Sequence, residues 1–249
     1  MQSLDVPLQS IDVVALTAAS FLGSLITGAM GIGGGIALLA VMATLMPAPA
    51  VIPVHGVIQL GSNAGRAGLQ WRHIDWLTFG WFFVGGVLGI SVGGNVAVTL
   101  PESILRLGLA LFILYTTWGP RMRLAGGGPK TVVAMGATAS FLTMFFGATG
   151  PFVSAILTRR GYSPRQLIGT HAICMTAQHA LKTAVFGILG FVYSDWLGLM
   201  ALMLLAGFAG TYAGALVLDR LPARTFAIGL KTLLTLLALN LAASALGLT

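Results

Sequence analysis

Residues 28–35 read Gly-Ala-Met-Gly-Ile-Gly-Gly-Gly, and residues 147–151 read Gly-Ala-Thr-Gly-Pro. Each run interrupts a long apolar stretch and is followed by a short one. Glycine permits backbone angles and close approaches that other residues resist, and Pro151 suits the first position of a new helix, where its missing N–H has no intrahelical role. The two runs therefore read as two broken helices. Their surroundings also repeat. Ala19-Ser20-Phe21-Leu22 returns as Ala139-Ser140-Phe141-Leu142, His55 as His171, Asp75-Trp76 as Asp195-Trp196, and Leu100-Pro101 as Leu221-Pro222. A consistent order of matches at nearly constant offset is the signature of an internal duplication.

The rest of the chain places these breaks in a membrane. Of 249 residues, 57% are hydrophobic and 8% charged, with a mean hydropathy of +0.94; soluble domains carry about 25% charged residues. Gly, Pro and charge punctuate ten apolar segments, at 11–29, 35–46, 49–69, 75–98, 101–118, 131–148, 151–160, 163–189, 195–218 and 221–247. The expected fold is an all-α polytopic membrane protein of two inverted repeats, each of about five helical segments. Some segments are short or re-entrant, giving eight to ten membrane helices. Residues 1–120 form the first repeat, 121–130 a cytoplasmic linker and 131–249 the second repeat. Met1 to Asp12 holds Asp5 and Asp12 but no Lys or Arg, so it lacks the basic region of a secretory signal and the first apolar segment is expected to be retained.

The formal charge is +7, from 13 Lys and Arg against 6 Asp and Glu. The basic residues lie in separate short loops, which argues for topology and against nucleic acid. Arg66 and Arg72, then Arg121, Arg123 and Lys130, then Arg159, Arg160 and Arg165, then Arg220 and Arg224 occupy alternate connections. Loops rich in Lys and Arg stay in the cytoplasm, so both termini are expected outside it.

Two constellations carry chemistry. At the breaks, Gly31, Gly33, Gly34 and Gly35, with Thr149 and Gly150, start short helices whose unpaired N–H groups and positive dipole ends suit an anion. Exposed backbone inside a membrane is tolerated where it lines a cavity, so matching breaks in two halves point to one site between them. Packing kinks are the alternative, since glycine also marks close helix contacts. A dinucleotide loop is excluded, because a membrane helix and not a strand precedes the glycines. The second constellation is one face of segment three, His55, Gln59, Ser62, Asn63 and Arg66. An offset of 116 maps it onto His171, Met175, Gln178, His179 and Lys182 of segment eight. Polar residues at membrane depth are costly and face cavities or protein. The expected binding residues are thus His55, Gln59, Asn63, Arg66, His171, Gln178, His179 and Lys182, with Arg66 alternatively an anchor at the inner headgroups.

None of the six acids falls well inside a segment. This argues against a carboxylate-based cation channel or pump and leaves Lys182 in need of an anionic partner. Lone Cys174 and the scattered His and acids imply no metal site, no cofactor and no catalytic triad. Gly85, Gly89 and Gly93, matched by Ala206, Gly210 and Gly214, predict close helix packing, and Trp71, Trp76, Trp118 and Trp196 read as interfacial aromatics.

With these features in place, the chain resembles the TauE/SafE family of sulfite exporters and related anion permeases along nearly its whole length. The resemblance is carried by the break at Gly28–Gly35, by Leu100-Pro101-Glu102 and by the run from Arg165 to His171 with its Gly169-Thr170. It implies transport of a small sulfur-containing or organic anion, sulfite or a sulfonate, across the bacterial cytoplasmic membrane. His171 stands where the family pattern has Ser. The partners expected are the anion, the lipid bilayer and a coupling proton or sodium ion; a passive anion channel and an integral membrane enzyme are the competing readings.

Overall fold

A computed structural model of the chain describes residues 8–30, 33–97, 101–119, 128–217 and 223–248. The break residue Gly31 and most of the 121–130 linker lie outside the described residues. Ten α-helices follow in order: α1 Ser10–Met30, α2 Gly34–Leu45, α3 Ala48–Leu69, α4 Trp76–Ala97, α5 Glu102–Trp118, α6 Pro129–Phe146, α7 Gly150–Leu157, α8 Pro164–Ile188, α9 Leu197–Val217 and α10 Ala223–Ala245. The ends fall within a few residues of those read from hydropathy. The chain is a polytopic, all-helical membrane protein.

Among the described residues, three helices are long and apolar enough to cross a bilayer by length and composition alone, within Ser10–Gly28, Trp76–Val96 and Tyr193–Gly214. These belong to α1, α4 and α9, and their outward faces carry exposed Val, Leu and Phe, such as Val14, Leu88 and Phe208. The others fall short for physical reasons. Helices α2 and α7 are only 12 and 8 residues long, and α3 and α8 carry the polar stripes.

The helices pair in a pattern that crosses the halves. Helix α1 packs along α9, α4 along α6, α3 along α8 and α5 along α10. Exchanging each helix for its sequence mate turns the first pairing into the second and leaves the last two unchanged. Glycine makes the α4–α6 contact possible: Gly85 lies against the Val133 carbonyl, Gly89 against that of Ala137, and Gly136 against that of Phe82. On the matching seam Gly210 lies against the Phe21 carbonyl, and the buried Ser20 hydroxyl donates to Met203 O at 2.6 Å.

Two apolar clusters form the interior. The larger surrounds α2, with Leu38, Leu39 and Met42 against Val54, Ile113 and Ala238. The smaller surrounds α7, with Val153, Ile156 and Leu157 against Phe82, Met135 and Cys174. Each short helix is thus wrapped by apolar neighbours and has only its N-terminal end left for polar work. Trp71, Trp76 and Trp118 are exposed, whereas Trp196, read as interfacial, is buried in the larger cluster.

Candidate functional site

Helices α3 and α8 run antiparallel through the centre. His55 near the start of α3 has its ring centroid 6.1 Å from that of His179, and Gly56 lies against the Lys182 stem. At the other end Arg66 and His171 line one cavity together. The two polar stripes therefore face one another, and the short helices close the space between them.

The breaks have the geometry their glycines imply. Gly33, the residue before α2, has φ 103, and Gly147, which ends α6, has φ 71; both lie in the region that side chains strain to enter. The histidines tie these turns to the stripes by the same bond made twice. His55 Nε2 donates to Gly35 O at 3.0 Å, and His171 Nε2 donates to Gly150 O at 3.0 Å. Each imidazole holds the first turn of a short helix from the opposite long one.

A cavity of about 50 Å³ opens between these groups. Gly33, Gly35, Gly150, His55, Gln59, Asn63, Arg66, His171 and His179 line it, and no lining residue is acidic. Arg66 is held in place there, donating from its terminal nitrogen to Asn63 Oδ1 at 2.7 Å, so it faces the cavity and not the headgroups. Gln59 lies over Gly35, and its carbonyl accepts from Asn63 Nδ2 at 2.7 Å.

Four residues of the expected set lie behind the wall. Gly34 is packed against Gly23 and Thr27 where α2 crosses α1. Gln178 and Thr149 bond each other at 2.6 Å, with a second bond from Gln178 Nε2 to Ala139 O at 2.9 Å. Lys182 is 0% exposed and donates to Gly147 O at 3.4 Å. Arg66 and Lys182 occupy the same register in the two stripes, yet one lines the cavity and the other is sealed beside it.

Sequence reasoning passed over Thr27, Ile36, Ala148, Pro151 and Met175 as binding residues, and all five line the cavity. Thr27 and Ala148 flank the breaks and Met175 holds the register of Gln59, so position was the available signal. Residue type, being apolar or commonplace, concealed it.

Beside the cavity, Asp75 fastens the first half to the second. Its Oδ2 accepts from the Tyr162 hydroxyl at 2.6 Å and from Thr78 Oγ1 at 2.7 Å, and its Oδ1 from the Thr78 amide at 3.0 Å. Arg160 Nε donates to the Tyr162 oxygen at 2.7 Å, and the Asp75 amide donates to Thr170 Oγ1 at 2.9 Å. Burial raises the carboxyl's pKa, but the Tyr162 phenol, the Thr78 donors and the Arg160 charge outweigh it, leaving Asp75 below its ordinary value of 3.8. A carboxyl depressed in the folded state stabilises fully above its unfolded value and loses that contribution as pH falls through the folded one. Melting of the purified protein is therefore expected to weaken more steeply below about pH 4 in wild type than in Asp75→Asn. Tyr162→Phe is expected to cost about 1.5 kcal/mol, the low end for a bond to a charged group, because the Asp75 side chain retains 21% exposure.

Broken helices meeting at a polar cavity within an apolar helical bundle define a membrane protein of the broken-helix type. The family model for sulfite exporters of the TauE/SafE type matches residues 16–241, and the chain belongs to that family, whose members are membrane transporters. Neither the curated proteins nor the solved structures contain a match to it.

Proposed function

We propose that this chain is a secondary transporter exporting a small anion, such as sulfite or an organosulfonate, across the bacterial inner membrane, and that the cavity between α3 and α8 is its binding site. The observation that carries this reading is the lining: two helix N-termini, a guanidinium and three imidazoles, with no acid among the lining residues. The first N–H groups of α2 have no intrahelical acceptor; in α7 Pro151 has no N–H and the Phe152 amide donates to Thr149 O at 3.0 Å, which leaves the Gly150 amide, and both helices present positive dipole ends. A cation in a low-dielectric cavity attracts an anion far more strongly than in water. Uptake of labelled sulfite, sulfate, thiosulfate and a short sulfonate into liposomes holding the purified protein tests this reading; no saturable flux of any of them overturns it. Counterflow, with and without a pH gradient, separates a carrier from a passive anion channel, which does not support countertransport. A membrane enzyme is disfavoured because, among the described residues, no His, Cys, Asp and Glu are grouped so as to hold a metal ion and the cavity lining holds no acid to serve as general acid or base.

In this reading Gly33, Gly35 and Gly150 form the anion cradle, Gly34 and Thr149 back it from behind the wall, and Gly31, outside the described residues, is expected to join it. Gln59, Asn63, Arg66 and His171 form its cavity wall, and Gln178 and Lys182 form its rear support. Gly150 provides the clean test. A Cβ there meets only ordinary contacts, 3.6 Å to His171 Nε2 and 3.8 Å to Met175 Sδ, so Gly150→Val is expected to fold while its branched side chain enters the cavity and cuts transport by roughly tenfold or more. Gly33→Val adds backbone strain and so confounds folding with function. Wild-type transport by correctly inserted Gly150→Val makes the break a packing feature.

The same proposal holds that residues 1–120 and 131–249 are inverted repeats. Antiparallel α3 and α8, and helix pairings that map onto one another, support it. Both termini then lie outside the cytoplasm. A reporter fused after Thr249 is expected to be active only if it requires the periplasm; clear cytoplasmic activity overturns the inverted assignment.

A further inference from the structure

The centre of the molecule holds more proton-accepting capacity than its hydrogen bonds use. The Gly35 carbonyl can only accept, so His55 must carry its hydrogen on Nε2, and the other nitrogen of a neutral imidazole is then a bare acceptor. That Nδ1 is buried without a partner. It lies beside the second break, where a Cβ built on Gly147 would stand 3.3 Å from it. His179, set edge-on to His55, also buries an unpartnered Nδ1. Lys182 completes the group, with its ammonium on the Gly147 carbonyl. Buried polar atoms in folded proteins are nearly always paired, so two orphan imidazole nitrogens next to an ammonium mark a place where something binds and leaves. The unpartnered buried side-chain oxygens among the described residues are Ser140 Oγ, Gln178 Oε1 and Thr183 Oγ1, none of them a carboxylate. A hard cation requires a cage of oxygens and is repelled by Lys182. The available bases are nitrogens, and the ion they suit is a proton.

We infer that His55, His179 and Lys182 form a proton-loading site, which takes up a proton as the anion enters the neighbouring cavity and gives it up when the anion leaves. The inference rests on the anion-transport reading and names its coupling ion. The charged and titratable groups that face the trio are Arg66 from its own helix α3 and His171 from α8. Helices α1, α2, α6 and α7 contribute no titratable side chain to the cavity lining, and Asp75 is engaged by Tyr162 and Arg160. An extra proton therefore adds positive charge to a site without a carboxylate, and the anion supplies the missing negative charge. By linkage each strengthens the binding of the other by the same factor. No covalent bond is made or broken. The proton arrives from water on an imidazole or amine nitrogen and returns to water.

The test uses the full-length purified chain in weakly buffered detergent with a pH-indicator dye. Methanesulfonate is the probe because it stays ionised near neutrality and brings no proton of its own. About one proton is expected to be taken up per anion bound near neutral pH, with no change when sodium is replaced by choline. His55→Gln retains an amide donor for the Gly35 carbonyl but has no nitrogen that takes up a proton near neutral pH; its proton uptake per bound anion is expected to fall by at least half. His179→Gln and Lys182→Met are read in parallel in case one variant misfolds. Binding without proton uptake, uptake that requires sodium, or uptake unchanged in all three variants overturns this inference and leaves the anion site standing. No binding of methanesulfonate or sulfite overturns both.

Discussion

Replacing Lys182 with alanine is expected to remove most of the anion-induced thermal stabilisation of the purified protein and to weaken apparent anion affinity by roughly thirtyfold to several hundredfold, the effect of losing about 2–4 kcal/mol from a buried charge interaction. Among the described residues, the side chain's hydrogen-bond partner is the Gly147 carbonyl, and no carboxylate reaches it. An ammonium so placed is expensive without a counter-charge, and a bound anion is the counter-charge that offsets the cost. Lys182→Met separates this from packing. It keeps most of the stem's volume and removes the charge, so the empty protein is expected to melt no lower than wild type while the anion-induced shift disappears. Lys182→Arg keeps the charge but must fit where Gly56 already lies against the Lys182 stem. Partial recovery of binding at some cost in stability is expected. Melting curves with and without sulfite, across pH about 5 to 8, decide it. A full anion-induced shift in Lys182→Ala places the site at the helix breaks alone.

Gly89→Val is expected to prevent stable assembly. The Gly89 backbone lies against the Ala137 carbonyl, with Gly85 and Gly136 making equivalent contacts on either side, so a side chain has no soft neighbour to push aside. Accommodating it means separating two main chains along the full α4–α6 seam. Overpacking inside a protein typically costs about 1–3 kcal/mol where side chains can shift, and a larger loss is expected where the obstacle is backbone on both helices. Gly80→Val on the same helix is the control, because nothing lies within 4 Å of a Cβ there. Detergent-purified protein should show a cooperative melt for the control and aggregation or no melt for Gly89→Val. A melt within a few degrees of wild type would falsify the account of this seam.

The helices were legible because punctuation and hydropathy act locally, and membrane depth leaves few other ways to arrange apolar runs about twenty residues long. Pairing was legible only in part. The spacing of Gly85, Gly89 and Gly93 announces a close contact, but nothing in a glycine names its partner, and the partner here is α6 from the other half. The facing stripes were legible because register along a helix fixes which residues share a face. Their depth was not. Arg66 and Lys182 are equivalent in sequence, and a duplicated pattern carries no mark of which copy lines the cavity. The Asp75–Tyr162 bond was also invisible, since Asp195 repeats the acid at the matching place and there, among the described residues, accepts from its neighbour Ser194.

The exchange of partners between the halves bears on how the protein is made. Among the described residues helix α1 finds its long neighbour in α9, so α1 waits while α2 to α8 are made for the surface it will cover. Neither half is a module that matures in the bilayer by itself; each is one strand of a clasp. Truncated chains ending before α9 should present the Ser20–Phe21 face of α1 to lipid and to quality-control proteases. Two fragments divided between Trp118 and Pro129 should yield a folded product only when they are produced together in the same membrane.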